Sequence, residues 1–303
     1  MFRFLESELP DLPPEKCLFH VIPVPYEATV SYGCGTGGGP LAIITASSQL
    51  EVWTGEENPG EAGIYTWPFV PCDGEDTEVM DAITEAVGAA LDSGGKGDVV
   101  PVLLGGEHSV TFGALRALRE KFGEFGVIQF DAHADLRDTY GGSKFSHACV
   151  MRRAMDDLGL PLFQFGVRSL SPEEVAYRRE HAVPCLDARD FAGRGGLAWL
   201  REDHSPLLPA SFPPQVFLTF DVDALDPSLM PATGTPEPGG FTWWEALALV
   251  RRALEGRRCI GFDVTETAPI ENMAAPTFAA ARLTYELMAE VLRARKSGQA
   301  MSS

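Results

Sequence analysis

The sequence predicts an α/β fold, a parallel sheet covered by helices on both faces. Two observations carry this. Short apolar runs rich in β-branched and aromatic residues alternate with stretches of i, i+3, i+4 spacing, the strand–helix alternation that produces parallel sheets. Residues capable of chemistry also stand at the carboxyl ends of several apolar runs, where open α/β sheets hold their ligands.

Residues 1–16 are rich in Pro and Glu and read as an N-terminal arm. Leu18–Val24 is the first strand, closed by Pro23 and Pro25. Tyr32-Gly33-Cys34-Gly35-Thr36-Gly37-Gly38-Gly39-Pro40 then forms a glycine-dense loop ahead of a helix at Leu41–Leu50. The loop has no Walker lysine and no G-x-G-x-x-G opening a helix, so it reads as backbone beside an active-site mouth rather than a phosphate cradle. A strand at Gly63–Val70 and an amphipathic helix at Val79–Leu91 follow, and the turn at 93–97 leads into a buried strand at Val99–Leu104. That strand ends in Gly105-Gly106-Glu107-His108-Ser109, before a helix over Val110–Phe122. Further on, strands are expected at Leu162–Val167, Val183–Leu186, Gln215–Phe220 and Cys259–Phe262, and helices at 172–181, 190–202, Thr242–Leu254 and Pro276–Arg295. Residues 296–303 read as a frayed polar tail. No linker, composition break or repeat divides the chain, so 1–303 is read as one domain.

The chain is organised around Phe130-Asp131-Ala132-His133-Ala134-Asp135, which follows the apolar run Gly126-Val127-Ile128-Gln129. Side chains at i, i+2 and i+4 of an extended segment leave on one face, so Asp131, His133 and Asp135 can converge. Without a cation between them the two carboxylates would repel and lose solvation. The same spacing recurs in Asp221-Val222-Asp223 after Gln215–Phe220, and His108 and Glu266 close two further strands. In a parallel sheet all these ends open on one edge.

Asp131, Asp135, Asp221 and Asp223 supply four negative charges, which two divalent cations would neutralise, with His108 and His133 as neutral donors. Oxygen and nitrogen ligands without thiolate favour Mn2+, leave Co2+, Fe2+ or Zn2+ open, and disfavour a structural zinc. Two such ions can share a water and depress its pKa. Singly, each motif has a structural reading: a lone buried Asp or His is more often a cap or a satisfied core group. Their occurrence at successive strand ends is what points to a dinuclear site.

The composition is that of a soluble globular protein, with 45% hydrophobic and 22% charged residues. A formal net charge of -19 argues against nucleic acid or an anionic membrane as partner, and suits cationic substrates or metals as well as solubility. Six scattered cysteines without a C-x-x-C pair suggest reduced thiols, and neither a signal pattern nor a long apolar run is present. A cytoplasmic location is expected.

At these residues the sequence resembles the ureohydrolase superfamily of arginases and agmatinases. The matches are Gly105–Ser109, Asp131–Asp135, Asp221-Val-Asp-Ala-Leu-Asp-Pro227 with Gly234–Gly240, and Asp263-Val-Thr-Glu266. They lie in order over residues 18–295. The resemblance implies a three-layer α/β/α fold around a mainly parallel sheet of about eight strands. It implies two Mn2+ per subunit, one held by His108, Asp131, Asp135 and Asp221, the other by Asp131, His133, Asp221 and Asp223, with Asp131 and Asp221 bridging. Glu266 would pair with a substrate guanidinium, and His147 would pass a proton to the leaving amine. Asp226 would be a supporting residue or cap.

The stretch Asp138–Arg153 and Pro23–Thr29 look like the agmatinase branch, and the Ser-Gly-Asn type segment of arginases is missing before His147. The implied reaction is agmatine to putrescine plus urea, a step of polyamine biosynthesis, with 4-guanidinobutyrate or N1-aminopropylagmatine as alternative substrates. Arg137, Lys144, Arg152 and Arg153 are the cations that keep guanidinobutyrate open. A non-catalytic metal-binding member would be expected to have lost a ligand, Glu266 or His147, and this sequence retains all of them. Homo-oligomers, trimers or hexamers, are expected by resemblance. Two departures stand out: Glu107, where the family often has Asp, and Ala268–Asn272, which lacks the usual aspartate.

Overall fold

Alternating strands and helices run through the whole computed structural model, which describes residues 2–94 and 99–300. In chain order they are β1 (Phe19–Val24), α1 (Gly39–Ser47), β2 (Ile64–Thr66), α2 (Asp76–Ser93), β3 (Val100–Gly105), α3 (Thr111–Phe122), β4 (Gly126–Phe130) and α4 (Val150–Asp156). There follow β5 (Leu162–Phe165), α5 (Pro172–Glu180), β6 (Cys185–Leu186), α6 (Ala188–Gly193), α7 (Leu197–Glu202), β7 (Gln215–Asp221), α8 (Trp243–Leu254), β8 (Arg258–Thr265) and α9 (Ala274–Ala300).

The strands make one eight-stranded sheet in the order β2-β1-β3-β8-β7-β4-β5-β6. Every pairing in it is parallel. Successive strand side chains divide between two apolar layers, as a period of two requires. Ile128, Leu218 and Val102 pack on one face with α1, α6, α7, α8 and α9, whereas Val127, Phe217 and Leu103 pack on the other with α2, α3, α4 and α5. This is the expected α/β/α sandwich. Phe130, the last residue of β4, stacks between Phe165 at 4.7 Å and Phe220 at 5.2 Å, fixing the strand end from which Asp131 departs.

Local sequence explains where helices start. Glu75 and Glu78 form a capping box on α2, Ser171 and Glu174 on α5, and Thr242 and Glu245 on α8, each satisfying amide groups that a first turn leaves without partners. Glu174 does more than cap, since its Oε1 also accepts the amide of Leu136 at 3.1 Å and so ties the segment after Asp135 to α5.

Several expectations need correction. The helix expected at 190–202 is two, broken at Gly195 and Gly196, both at positive φ. Helix α4 was not expected, because its buried Val150, Met151 and Ala154 span too few turns for a period to show. β2 is shorter than Gly63–Val70. The arm is docked: Phe4 and Leu5 are buried, and their amides donate to Thr66 Oγ1 and Ser47 Oγ. Helix α9 runs on through Ala300, and residues 301–303 of the expected tail lie outside the described residues, as do 95–97 of the expected turn. Among the described residues no helix is long and apolar enough to cross a membrane.

Candidate metal centre

Four adjacent central strands, β3, β8, β7 and β4, end on the same edge. The strand ends and the segments after them bring His108, Glu266, Asp221 with Asp223, and His133 with Asp135 to one cavity of about 270 Å³, which His147 also lines. Asp131 is fully buried, its Oδ2 3.0 Å from His108 Nδ1.

The two Asp-x-(His/Asp) motifs are built alike. Asp131 Oδ1 accepts the amide of His133 at 2.6 Å, and Asp221 Oδ1 accepts the amide of Asp223 at 2.8 Å. Each strand therefore ends in a tight turn around its own carboxylate, and the Oδ2 atoms of Asp131 and Asp221 both lie near His108 Nδ1. The two turns are joined by Asp223 Oδ1, which accepts the amide of Ala132 at 2.9 Å. Gln129 Nε2 donates to Asp131 Oδ2 at 2.8 Å.

His108 Nδ1 lies 3.0 Å from Asp131 Oδ2, 2.9 Å from Asp135 Oδ2 and 3.5 Å from Asp221 Oδ2. His133 Nδ1 lies 2.9 Å from Asp223 Oδ2 and 3.6 Å from Asp131 Oδ1. Donor atoms of His108, Asp131 and Asp135 fall within 4.8 Å of one another, as do those of Asp131, His133 and Asp223, so Asp131 belongs to both sets. All six residues expected as ligands thus meet, with Asp221 beside the first set.

The tautomer of His108 tests whether cations fit here. Thr219 Oγ1 gives its proton to Asp263 Oδ1 at 2.7 Å and lies 2.8 Å from His108 Nε2, so it can only accept from that nitrogen. Nε2 then carries the ring proton, and Nδ1, buried with no hydrogen-bond partner, turns a lone pair toward three carboxylates. Lone pairs so arranged need a positive charge between them. Protons are the alternative. Burial and the charge of Asp131 push Asp135 up to about 7. Burial works against charge on His133, but Asp131 and Asp223 outweigh it and raise that imidazole to about 12. Asp221 and Asp223 are likewise raised by burial and by neighbouring carboxylates. Bare, the cluster must keep protons; divalent cations replace them.

Glu266 is buried and accepts the amide of His108 at its Oε1, 2.6 Å away. Its φ of 64° and that of Asp135, 53°, place two non-glycine residues in the left-handed region at this one site. Such backbone costs about 1–3 kcal/mol per residue and persists only where surrounding contacts over-determine it. Asp226 stands outside the cluster, its carboxylate tying the amides of Ser228 and Gly239.

The glycine-dense loop packs against the segment before Thr235, which lines the cavity together with Ser31. Gly33 N donates to Gly234 O at 3.1 Å, and a Cβ on Gly33 would meet that oxygen at 2.7 Å, which no side chain tolerates. Of the four cations considered for the far end of a substrate, Arg137 lines the cavity, with its guanidinium 5.0 Å over the Tyr140 ring. Arg152 is paired with Asp156, and Arg153 with Asp138 and Asp157.

No sequence pattern marked the residues that contact the candidate ligand His108 or that contact His147. Thr219, backed by Asp263, lies against His108, and Thr29, backed by Glu107, lies against His147. Asp263 and Thr29 lie within quoted motifs, but nothing in their spacing marks a role.

The Arginase family profile matches residues 18–290. A protein of Synechocystis described as an N(1)-aminopropylagmatine ureohydrolase is 38% identical, over 94% of this chain and 92% of its own. A Pyrococcus horikoshii protein described as an agmatinase is 32% identical, over 94% of this chain and 95% of its own. The crystal structure of agmatine ureohydrolase of Thermoplasma volcanium superposes with a TM-score of 0.81 at 28% identity, covering 98% of this chain and 96% of that one.

Proposed function

Because the chain belongs to the arginase family, we propose that it hydrolyses a guanidino compound to urea and an amine on two Mn2+, with agmatine as substrate and putrescine as the amine product. One observation carries the reading: two donor sets sharing Asp131 open into the same cavity as Glu266 and His147. His108, Asp131, Asp135 and Asp221 would hold one ion, and Asp131, His133, Asp221 and Asp223 the other. Buried carboxylates and imidazoles without thiolate suit Mn2+. Bound there, the ions supply the Lewis acidity that makes water a nucleophile near neutral pH.

The chain's own residues do the rest. Glu266, anchored through Oε1 on the His108 amide, presents Oε2 to a planar guanidinium and orients its carbon toward the ligand cluster. His147 is pushed below the ordinary histidine range by burial, which Glu107 and Asp131 oppose and His108 and His133 reinforce, and so holds a neutral imidazole ready to exchange a proton. Its free ring nitrogen would first take up a proton from water and then pass it to the nitrogen of the departing amine. The acidic lining favours a cationic substrate over a neutral amide. Residues 1–303 would form one catalytic domain, a reading supported by the single sheet whose strand ends and following segments carry all the candidate ligands.

The name of the Synechocystis relative favours a second reading, N1-aminopropylagmatine as substrate. Both substrates present the same guanidinium and differ at the far end. The experiment is urea release by Mn2+-loaded protein offered agmatine, N1-aminopropylagmatine, 4-guanidinobutyrate and arginine side by side. Preference for agmatine supports the first reading and preference for the longer amine the second. No urea from any of them rejects both.

A further inference from the structure

We infer that Thr29 and Glu107 are positioning residues for His147, fixing its imidazole with the proton on Nδ1 and leaving Nε2 to exchange protons in the cavity. The inference rests on the role proposed above for His147, and extends it to two residues from a different loop and strand end.

Glu107 is fully buried and takes four donors: the amides of Ala28 at 2.7 Å and Thr29 at 2.6 Å, Thr29 Oγ1 at 2.7 Å and Ser109 Oγ at 2.6 Å. A carboxylate so surrounded acts only as acceptor. The single hydroxyl proton of Thr29 therefore goes to Glu107. The lone pairs of Thr29 Oγ1 remain for the two groups it faces on His147, the backbone amide at 3.0 Å and ring Nδ1 at 3.1 Å. A ring nitrogen opposite a lone pair must carry hydrogen, so Nδ1 is protonated and Nε2 is the basic nitrogen. Ser146 Oγ, at 3.5 Å from Nδ1, is too distant to compete on equal terms.

The same contacts fix the orientation of the ring. Thr29 grips both the main chain and the side chain of His147, and the Tyr140 ring stands edge-on to the imidazole at 5.9 Å. Glu107 precedes ligand His108 in the chain, so one segment anchors the metal cluster and the proton-exchanging ring together. When Nε2 takes up a proton, Nδ1–H keeps its acceptor, and no hydrogen bond has to be rearranged during turnover.

The direct test reads the tautomer by imidazole 15N chemical shifts in the wild-type, metal-free protein, with the His147 signal assigned by its loss in H147N. Nδ1–H is expected; an Nε2–H tautomer overturns the inference and needs no other variant to fold. The second test is steady-state urea release by Mn2+-loaded enzyme. Thr29→Val is expected to lower kcat by about 10–100-fold with KM within about threefold, and Thr29→Ser to recover most of the rate. Equal losses in both variants, or a Thr29→Val kcat within about threefold of wild type, would overturn it. Wild-type protein that releases no urea refutes the proposed reaction and leaves the tautomer measurement as the test of Thr29 and Glu107.

Discussion

Thr219 Oγ1 stands 2.8 Å from His108 Nε2 and hands its own proton to Asp263, which fixes the face that His108 turns to the carboxylate cluster. Asp263 is fully buried and is held by Thr111 Oγ1 at 2.7 Å and the Phe220 amide at 3.2 Å. The consequence is a candidate metal ligand whose orientation is set by a buried hydrogen-bond chain. Thr219→Val should weaken Mn2+ binding by about 10–100-fold, measured by titration against a competing chelator. Unchanged affinity would show that the carboxylates alone orient the ring.

Metal uptake should release protons. His133, raised to about 12 by Asp131 and Asp223 against burial, holds a proton at pH 7 that a cation must displace. Calorimetric titration of Mn2+ in buffers of different ionisation enthalpy should show net proton release per chain, and affinity should rise with pH. Release of none would mean that the cluster is already deprotonated when bare.

Glu266→Gln removes the charge and keeps an oxygen for the His108 amide, so the metal cluster should survive. Loss of one hydrogen bond to a charged group costs about 1.5–3 kcal/mol, so kcat/KM should fall about 10–150-fold with metal content unchanged. A variant that loses its metal would instead make Glu266 a structural anchor.

His20 lies fully buried on β1, with Nε2 3.1 Å from Pro14 O and Nδ1 accepting Trp67 Nε1–H at 3.0 Å. Burial lowers its pKa below the ordinary value of 6.5, although the carbonyls of Pro14 and Cys17 oppose that. The unfolded chain therefore takes up a proton first as pH falls. Stability from neutral His20 is complete above pH 6.5 and is lost as pH falls through the lower folded value. The stability difference between wild type and His20→Gln, from urea denaturation, should be constant above pH 6.5 and narrow below it. A difference that widens on acidification would contradict the assignment.

The convergence of the candidate ligands was legible because it is local. Asp131, His133 and Asp135 share one face by strand geometry alone, and strand ends of a parallel sheet share one edge. The helix split at Gly195 and Gly196 and the short α4 were not legible, since weak periodicity over one or two turns carries little signal. The far end of the cavity was only partly so. Four cations were candidates, and folding sends Arg152 and Arg153 to carboxylates elsewhere while Arg137 stays at the cavity.

The parallel α/β architecture and the residues that converge at its carboxyl edge can be read from the chain, because both follow from patterns of period two and from chain direction. Which nitrogen of His108 faces the cluster, and what holds His147, emerges on folding. Those depend on hydroxyls of Thr219 and Thr29, each with one proton to give, and on whether a buried carboxylate from a distant segment takes it. Partners such as Thr29 and Glu107 stand 78 residues apart in the chain, and no local pattern records such a meeting.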